Sequence, residues 1–366
     1  MILTFSAVAA GAGLLLLVVG MFVAPAAVAV AYLTAYTATL AIAVGMLLLV
    51  MAAWLSGAVW FVLLRRQAEA VVAALPALAV LTLPLVVMRH AFFPAANIRA
   101  LPFIARAVVY WAVWLACGER LYQLSRQQDA RLVPASQFTL VCSAGIPATG
   151  LALTFASFDW MMSLSPGWSS SVYGAYYFAG AMVAALALLA ILAFTAAHRG
   201  VRDLPAFSPT TEHFQALGRL MLAFVLLWAY LWYSQFFIMW IGDIPREVTW
   251  YLARLTGPWR AVAFTLVVTG FVGPFLVLAF RAARGSAGIM CGVGLWLFVV
   301  HYLDVYWLLV PSVRPRWELS DLLWTLGAIA FVAGATIAFA VWRHAAAPRV
   351  AAGDPALEWS VHYQAH

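Results

Sequence analysis

Lysine is missing from this chain: all 20 of its basic side chains are arginine, set against 13 acidic ones, and charged residues make up only 9% of the 366 positions. Soluble domains carry about 25% charged residues, so a water-soluble fold is excluded. Cysteine is also scarce. Cys117, Cys142 and Cys291 stand apart, with no C-x-x-C or C-x-x-C-H spacing, which argues against covalent haem and against an iron–sulfur cluster held by this chain. Of the seven histidines only His301 lies well inside an apolar run, whereas His90, His198, His213, His344, His362 and His366 sit at run ends or in tails. A haem held by two histidines and a histidine-rich metal site are therefore disfavoured. The net charge of +7 is spread over isolated arginines and pairs with no continuous basic face, so nucleic acid is not an expected partner.

What the chain has in abundance is apolar surface: 66% hydrophobic residues and a mean hydropathy of +0.98. A spanning helix uses about 20 apolar residues. Dividing the runs at charges, prolines and glycines predicts ten spans, near 5–24, 32–56, 70–88, 101–121, 137–161, 171–196, 213–240, 259–280, 288–310 and 321–342. The fold class is thus an all-α polytopic membrane protein. A single membrane domain over residues 1–347 is expected, followed by a short C-terminal tail over 348–366 that reads as disordered. The first span lacks a preceding positive charge and reads as retained rather than as a cleaved signal.

Arginine placement suggests orientation. With the N-terminus inside, the inner connections and tail carry Arg65, Arg66, Arg120, Arg126, Arg131, Arg199, Arg202, Arg281, Arg284, Arg343 and Arg349. The outer ones carry the smaller set Arg89, Arg99, Arg106, Arg246, Arg254, Arg260, Arg314 and Arg316. Both termini are therefore expected in the cytoplasm. Ser208-Pro209 and Ser320-Asp321 suit helix starts. The stretch from Pro245 to Leu255 reads as a short amphipathic helix at the outer interface, ended by Gly257-Pro258.

An ionisable group near the bilayer centre costs about 2.5–3.5 kcal/mol on insertion scales, so each one inside a span is a functional candidate. His301 and Asp304 lie three residues apart in the ninth span, on one helical face. Asp159 interrupts the fifth span, and Ser234-Gln235 the seventh. Counting back from Pro311, Pro166 and Pro245 at about 1.5 Å per residue places Asp304, Asp159 and Gln235 in one layer about 10–15 Å below the outer surface. Tyr173, Tyr176 and Tyr177 open the sixth span, and Arg89, His90, Asn97 and Arg106 lie at outer helix ends. Acid, base, amide and phenol at one depth suit a quinol head group or the mouth of a proton path. Blander roles fit the same residues: an Asp paired with Arg as packing glue, Gln235 as a helix–helix hydrogen bond, the tyrosines as interfacial belt, Arg89, Arg106 and Arg260 snorkelling. Glu69 with Arg65 and Arg66, and Glu119 with Arg120, read as surface pairs.

Ala156-Ser-Phe-Asp-Trp-Met-Met-Ser-Leu164 followed by Tyr173-Gly-Ala-Tyr-Tyr-Phe-Ala-Gly180 resembles the signature region of the ActF-type membrane subunit of bacterial alternative complex III. Tyr233-Ser-Gln-Phe-Phe237, Ile244-Pro-Arg-Glu-Val-Thr-Trp-Tyr251 and His301-Tyr-Leu-Asp-Val-Tyr-Trp307 are similar to its later motifs, in the same order. The resemblance implies an NrfD/PsrC-like arrangement of two four-helix bundles with peripheral helices, in a bacterial inner (cytoplasmic) membrane. It implies a quinol:cytochrome c or terminal-oxidase oxidoreductase in which this subunit has no redox centre. Its expected partners are an ActC-like membrane subunit, an Fe–S subunit and c-type haem subunits, together with quinol and membrane lipid. By position Asp159, His301 and Asp304 would form a proton path, with Gln235, Tyr173 and Tyr177 in the vicinity of any quinone. Where the family commonly has an acidic residue and a histidine after the Asp-Trp-Met-Met motif, this chain has Ser165 and Gly167. An autonomous transporter or a lipid-linked transferase is the rival class, although no sizeable polar catalytic loop is visible.

Overall fold

In the computed structural model, residues 1–93, 99–199, 208–314, 316, 318–345, 347–348 and 350–364 are described. Asn97, Arg202, Arg349, His366 and the Arg199 side chain, all named above, lie outside the described set. Backbone polar groups in a bilayer must be satisfied within their own segment, so long apolar runs become helices. The spans are α1 (Ile2–Val23), α2 (Pro25–Leu55), α3 (Val59–Val87), α4 (Ala100–Gln128), α5 (Ala135–Trp160), α6 (Tyr173–Arg199) and α7 (Thr211–Gly242). After the short α8 (Pro245–Leu255) come α9 (Gly257–Ala279), α10 (Ala287–Val313) and α11 (Leu319–His344). Ten of these helices are long and apolar enough to cross a membrane. The chain is an all-α polytopic membrane protein.

Helices α2 to α5 pack as one group and α6, α7, α9 and α10 as another, with α1 and α11 paired at the edge against α2. Helices α2 and α6 join the groups. Small residues allow this closeness. A methyl group on Gly45 of α2 would stand 2.4 Å from the Ala181 carbonyl oxygen of α6, and one on Gly294 of α10 would stand 2.7 Å from that of Ala187. Gly13 plays the same part for α1 against the Gly327 backbone of α11.

The third span departs from the expected 70–88 helix. It opens as a tight 3₁₀ segment over Val59–Leu64, then runs as short α pieces, two of them, Leu75–Val80 and Leu83–Val87, with Pro76 and Pro84 in their first turns. Proline cannot donate to the preceding turn, so each restarts the helix. Two helix starts also differ in detail. Thr210, not Ser208, caps α7 together with His213, and Glu318 with Asp321 caps α11.

The start of α1, the end of α11 and the tail over 350–364 come together at one end of the bundle, the terminal face: Ile2 and His344 line one crevice, and the tail packs on the start of α3. Arg65, Arg66 and Glu69, expected as surface pairs, are buried there. Arg65 bonds Asp354 and Gln128, while Arg66 bonds Glu69, Ser125 and Asp129. Glu119 pairs with Arg343 at 2.6 Å, and Arg120 turns to Gln137 instead. The tail does not behave as the disordered segment the composition suggested. Its helix α12 (Leu357–Val361) packs on the start of α3, and the Leu63 N–H donates to Ser360 Oγ at 3.3 Å. The Asp354 carboxylate supplies what the tail's low hydrophobicity does not, an ion pair with the buried Arg65 cation.

Candidate functional site

Helices α6, α7, α9 and α10 meet around Asp304, which is 4% exposed. Tyr176 of α6 donates its hydroxyl to one carboxylate oxygen, and the Trp228 indole of α7 donates to the other at 3.2 Å. No arginine or histidine lies within salt-bridge distance of Asp304 among the described residues. Beside it is a cavity of about 20 Å³ lined by Gly180, Val183, Trp228, Gly270, Leu297, Val300, His301 and Asp304. A volume of about 10–15 Å³ suffices for one water, so this space, lined by both acid and base, accommodates a single water.

Two glycines and a helix defect make that space. Gly180 faces Asp304, where an added methyl group would sit 3.8 Å from Asp304 Oδ2. Gly270 lies in a π-helical turn of α9 (Val267–Val272), and a methyl group there would press on the Trp228 ring at 2.9 Å. Such single π turns recur at functional sites. His301, one turn along α10, lies on the same cavity, and its Nε2 is 3.1 Å from the Ala38 carbonyl of α2. The i, i+3 face expected for His301 and Asp304 is therefore turned inward, with the histidine facing the other helix group.

Gln235 approaches from the opposite face. It is buried in a small pocket with Tyr176, Trp232, Trp250, Tyr251 and Trp307, within hydrogen-bonding reach of Tyr251. Tyr176 borders this pocket and also holds Asp304, so the amide and the acid share a neighbour. The tyrosines of α6 are not an interfacial belt: Tyr173, Tyr176 and Tyr177 are all buried. Tyr177 donates to the Thr37 carbonyl of α2 at 2.6 Å, and Tyr173 packs edge-on against Trp168. They lie on the faces of α6 that pack against α2, α7 and α10, whereas an exposed position such as Ala175 lies between them; belts form only on lipid-facing positions.

Asp159 stands in the other helix group. It accepts from Arg106 Nε at 2.6 Å and from the Tyr110 hydroxyl at 2.7 Å. Arg106 is thus an ion-pair partner, although half of its side chain remains exposed. The shared layer expected for Asp159, Asp304 and Gln235 resolves into a joined Asp304, Tyr176 and Gln235 neighbourhood and a separate Asp159 pair.

Sequence reading passed over Arg254, which is 1% exposed in α8. The helix is amphipathic as expected, but its cation points inward, stacked 3.5 Å from the centre of the Trp250 ring. Arg254 donates to the carbonyls of Leu308 at 2.6 Å and Trp250 at 3.0 Å, and to Ser312 Oγ at 2.7 Å. Ser312 in turn bonds Ser165, after α5, at 2.8 Å. Burial pushes the guanidinium down to about 9, opposed by the nearby Tyr173 and Tyr251. A cation held through its two terminal nitrogens by two carbonyls and a hydroxyl, and by the indole face, pins α8 over the pocket, while its buried Nε has no hydrogen-bond partner. The available signal was its i+4 spacing from Trp250 on the aromatic face of that helix.

Among the described residues no three His, Cys, Asp or Glu side chains gather as a metal site. Compared with models of protein families and with curated proteins, the chain matches none.

Proposed function

We propose that this chain is a proton-conducting membrane subunit of a quinol:acceptor oxidoreductase of the alternative complex III type. One observation carries the reading: a carboxylate buried among membrane helices, held by a phenol and an indole rather than by a cation, which lines one water-sized cavity together with a histidine. Neither charge state of such a group is locked by an ion pair. Two donors can hold its anion, and apolar walls suit its acid form.

Quinol oxidation releases two protons for every two electrons, so a subunit without a redox centre contributes by taking protons away. Asp304 would exchange a proton with His301 through a water in the cavity they both line, and Tyr176 would link it to the Gln235 pocket under α8. The ordered motifs noted in the sequence support placing the chain beside an ActC-like subunit, an Fe–S subunit and c-type haem subunits. The same reading sets it in a bacterial inner membrane with both termini cytoplasmic.

The rival transporter reading draws on interrupted helices, namely the π turn of α9 beside the site and the broken α3 in the other helix group. Purification in mild detergent separates the two. Recovery of haem-containing and Fe–S partners with quinol:acceptor turnover is expected, whereas a lone chain that moves a solute into liposomes would replace this proposal with the rival.

A further inference from the structure

On the side of α10 away from Asp304, a crevice of about 440 Å³ runs between α2, α3, α6, α10 and α11 towards the first turn of α1. Its volume falls in the range of ligand pockets, about 300–1,000 Å³. From Ala333 to Ala345 it follows α11 for twelve residues, or about 18 Å of helical rise. The walls are Ala, Val, Leu, Ile and Phe; only four side chains bring polar atoms, Thr39, Tyr302, Thr336 and His344. At the deep end Thr39 and Tyr302 satisfy each other at 2.9 Å, and Thr336 bonds the Val332 carbonyl. Nothing along the length asks for a polar ligand.

The mouth, at the terminal face, differs. His344 lines it, and its Nδ1 is buried without a hydrogen-bond partner. Arg66 and Arg126 lie within electrostatic reach of that ring. Arg66 is taken up by Glu69 and Asp129, but Arg126 has no ion pair among the described residues. Ile2, in the first turn of the long helix α1, also reaches the mouth, where unsatisfied N–H groups favour an anion. Charge and shape together specify the occupant: a long apolar chain with a negative group at one end.

We propose that this crevice is a binding site for one anionic glycerophospholipid. One acyl chain lies along α11 towards the Thr39 and Tyr302 pair, and the phosphate sits at His344 and Arg126. The lipid would fill the seam between the α1/α11 pair and the rest of the molecule.

The test uses the full chain in whatever assembly it is purified, delipidated by detergent exchange and titrated with palmitoyl-oleoyl phosphatidylglycerol or phosphatidylcholine. Bound lipid is counted by native mass spectrometry. One phosphatidylglycerol per chain is expected to survive conditions that strip phosphatidylcholine, with at least a tenfold preference. Ala340→Phe, which fills the crevice, should abolish retention of both lipids at this site; Ala340→Leu, a smaller filling, should weaken it if the Phe variant does not fold. His344→Ala with Arg126→Ala should erase the preference while leaving weak binding of either lipid. Equal retention of the two lipids by the unaltered chain, undiminished retention after filling, or an isoprenoid quinone held in the lipid's place would overturn the proposal.

Discussion

Replacing Arg254 by Lys and by Met should separate what its charge does from what its shape does. The guanidinium bridges two carbonyls and a hydroxyl while lying flat on Trp250. An ammonium is a point donor that cannot keep both the fork and the stack. Losing one hydrogen bond from a charged group, about 1.5–3 kcal/mol, and part of a cation–π contact gives a loss of roughly 2–4 kcal/mol for Arg254→Lys. The buried charge, with its desolvation cost, would remain. Arg254→Met gives up all three hydrogen bonds and the cation–π contact but also removes that cost, which is several kcal/mol. The abandoned carbonyls of Trp250 and Leu308 lie within helices, where the i+4 N–H still reaches them. The expected order of thermal stability is therefore wild type and Met close together, within about 1–2 kcal/mol, and Lys clearly below. Tryptophan fluorescence of the detergent-solubilised protein on heating at neutral pH reads this order. The pH choice follows from linkage: burial depresses the folded value to about 9, so the native state binds fewer protons than the unfolded chain only above that value. The burial cost is constant below about 9 and is relieved as pH rises through it. A Lys variant as stable as the wild type, or more stable than Met, would refute the account of Arg254 as a shaped clamp.

Asp354→Asn should loosen the tail by about 1–3 kcal/mol rather than more, because Arg65 keeps Glu69 and Gln128 as partners; faster proteolysis within residues 350–364 is the readout. Gly45→Ala should impair folding, since its methyl group would meet the Ala181 carbonyl oxygen at 2.4 Å, and the yield of monodisperse protein would show it. Asp159→Asn should change stability by no more than about 1 kcal/mol, because its partner Arg106 is half exposed to the surroundings. If it abolished proton movement as fully as a change at Asp304, the separation of the two sites would be wrong.

The spans were legible because a bilayer leaves the backbone little choice: a run of about 20 apolar residues must be helical there. The pairing of His301 with Asp304 was legible from helical spacing alone. Tyr176 and Trp228 were not, since an aromatic in a spanning helix has the same local sequence whether it faces lipid or a neighbouring helix. Only the tertiary enclosure of α6 and α7 decides that. The depth count placed Asp159 level with Asp304 but carried no information about lateral position, which is how residues of two helix groups came to be read as one layer. The breaks in α3 could be read at Pro76 and Pro84, but the apolar run concealed them. The docking of the tail rests on Asp354 meeting Arg65 across 289 positions, a long-range match that no local pattern reveals.

The role given to Asp304 stands or falls on one substitution. Asp304→Asn keeps the size of the side chain, and its amide oxygen can accept from the Trp228 indole while its NH2 donates to the Tyr176 hydroxyl, which turns acceptor, so helix packing should hold; interhelical hydrogen bonds in membranes average only about 0.6 kcal/mol. An amide cannot take up and release a proton. The measurement is proton release during quinol:acceptor turnover in reconstituted vesicles, with the amount of assembled complex checked by haem spectra. Normal assembly with impaired turnover or impaired proton coupling is expected, and His301→Ala should show the same pattern more weakly. Wild-type turnover and coupling in the Asp304→Asn complex would contradict the proposal and leave Asp304 as a packing residue.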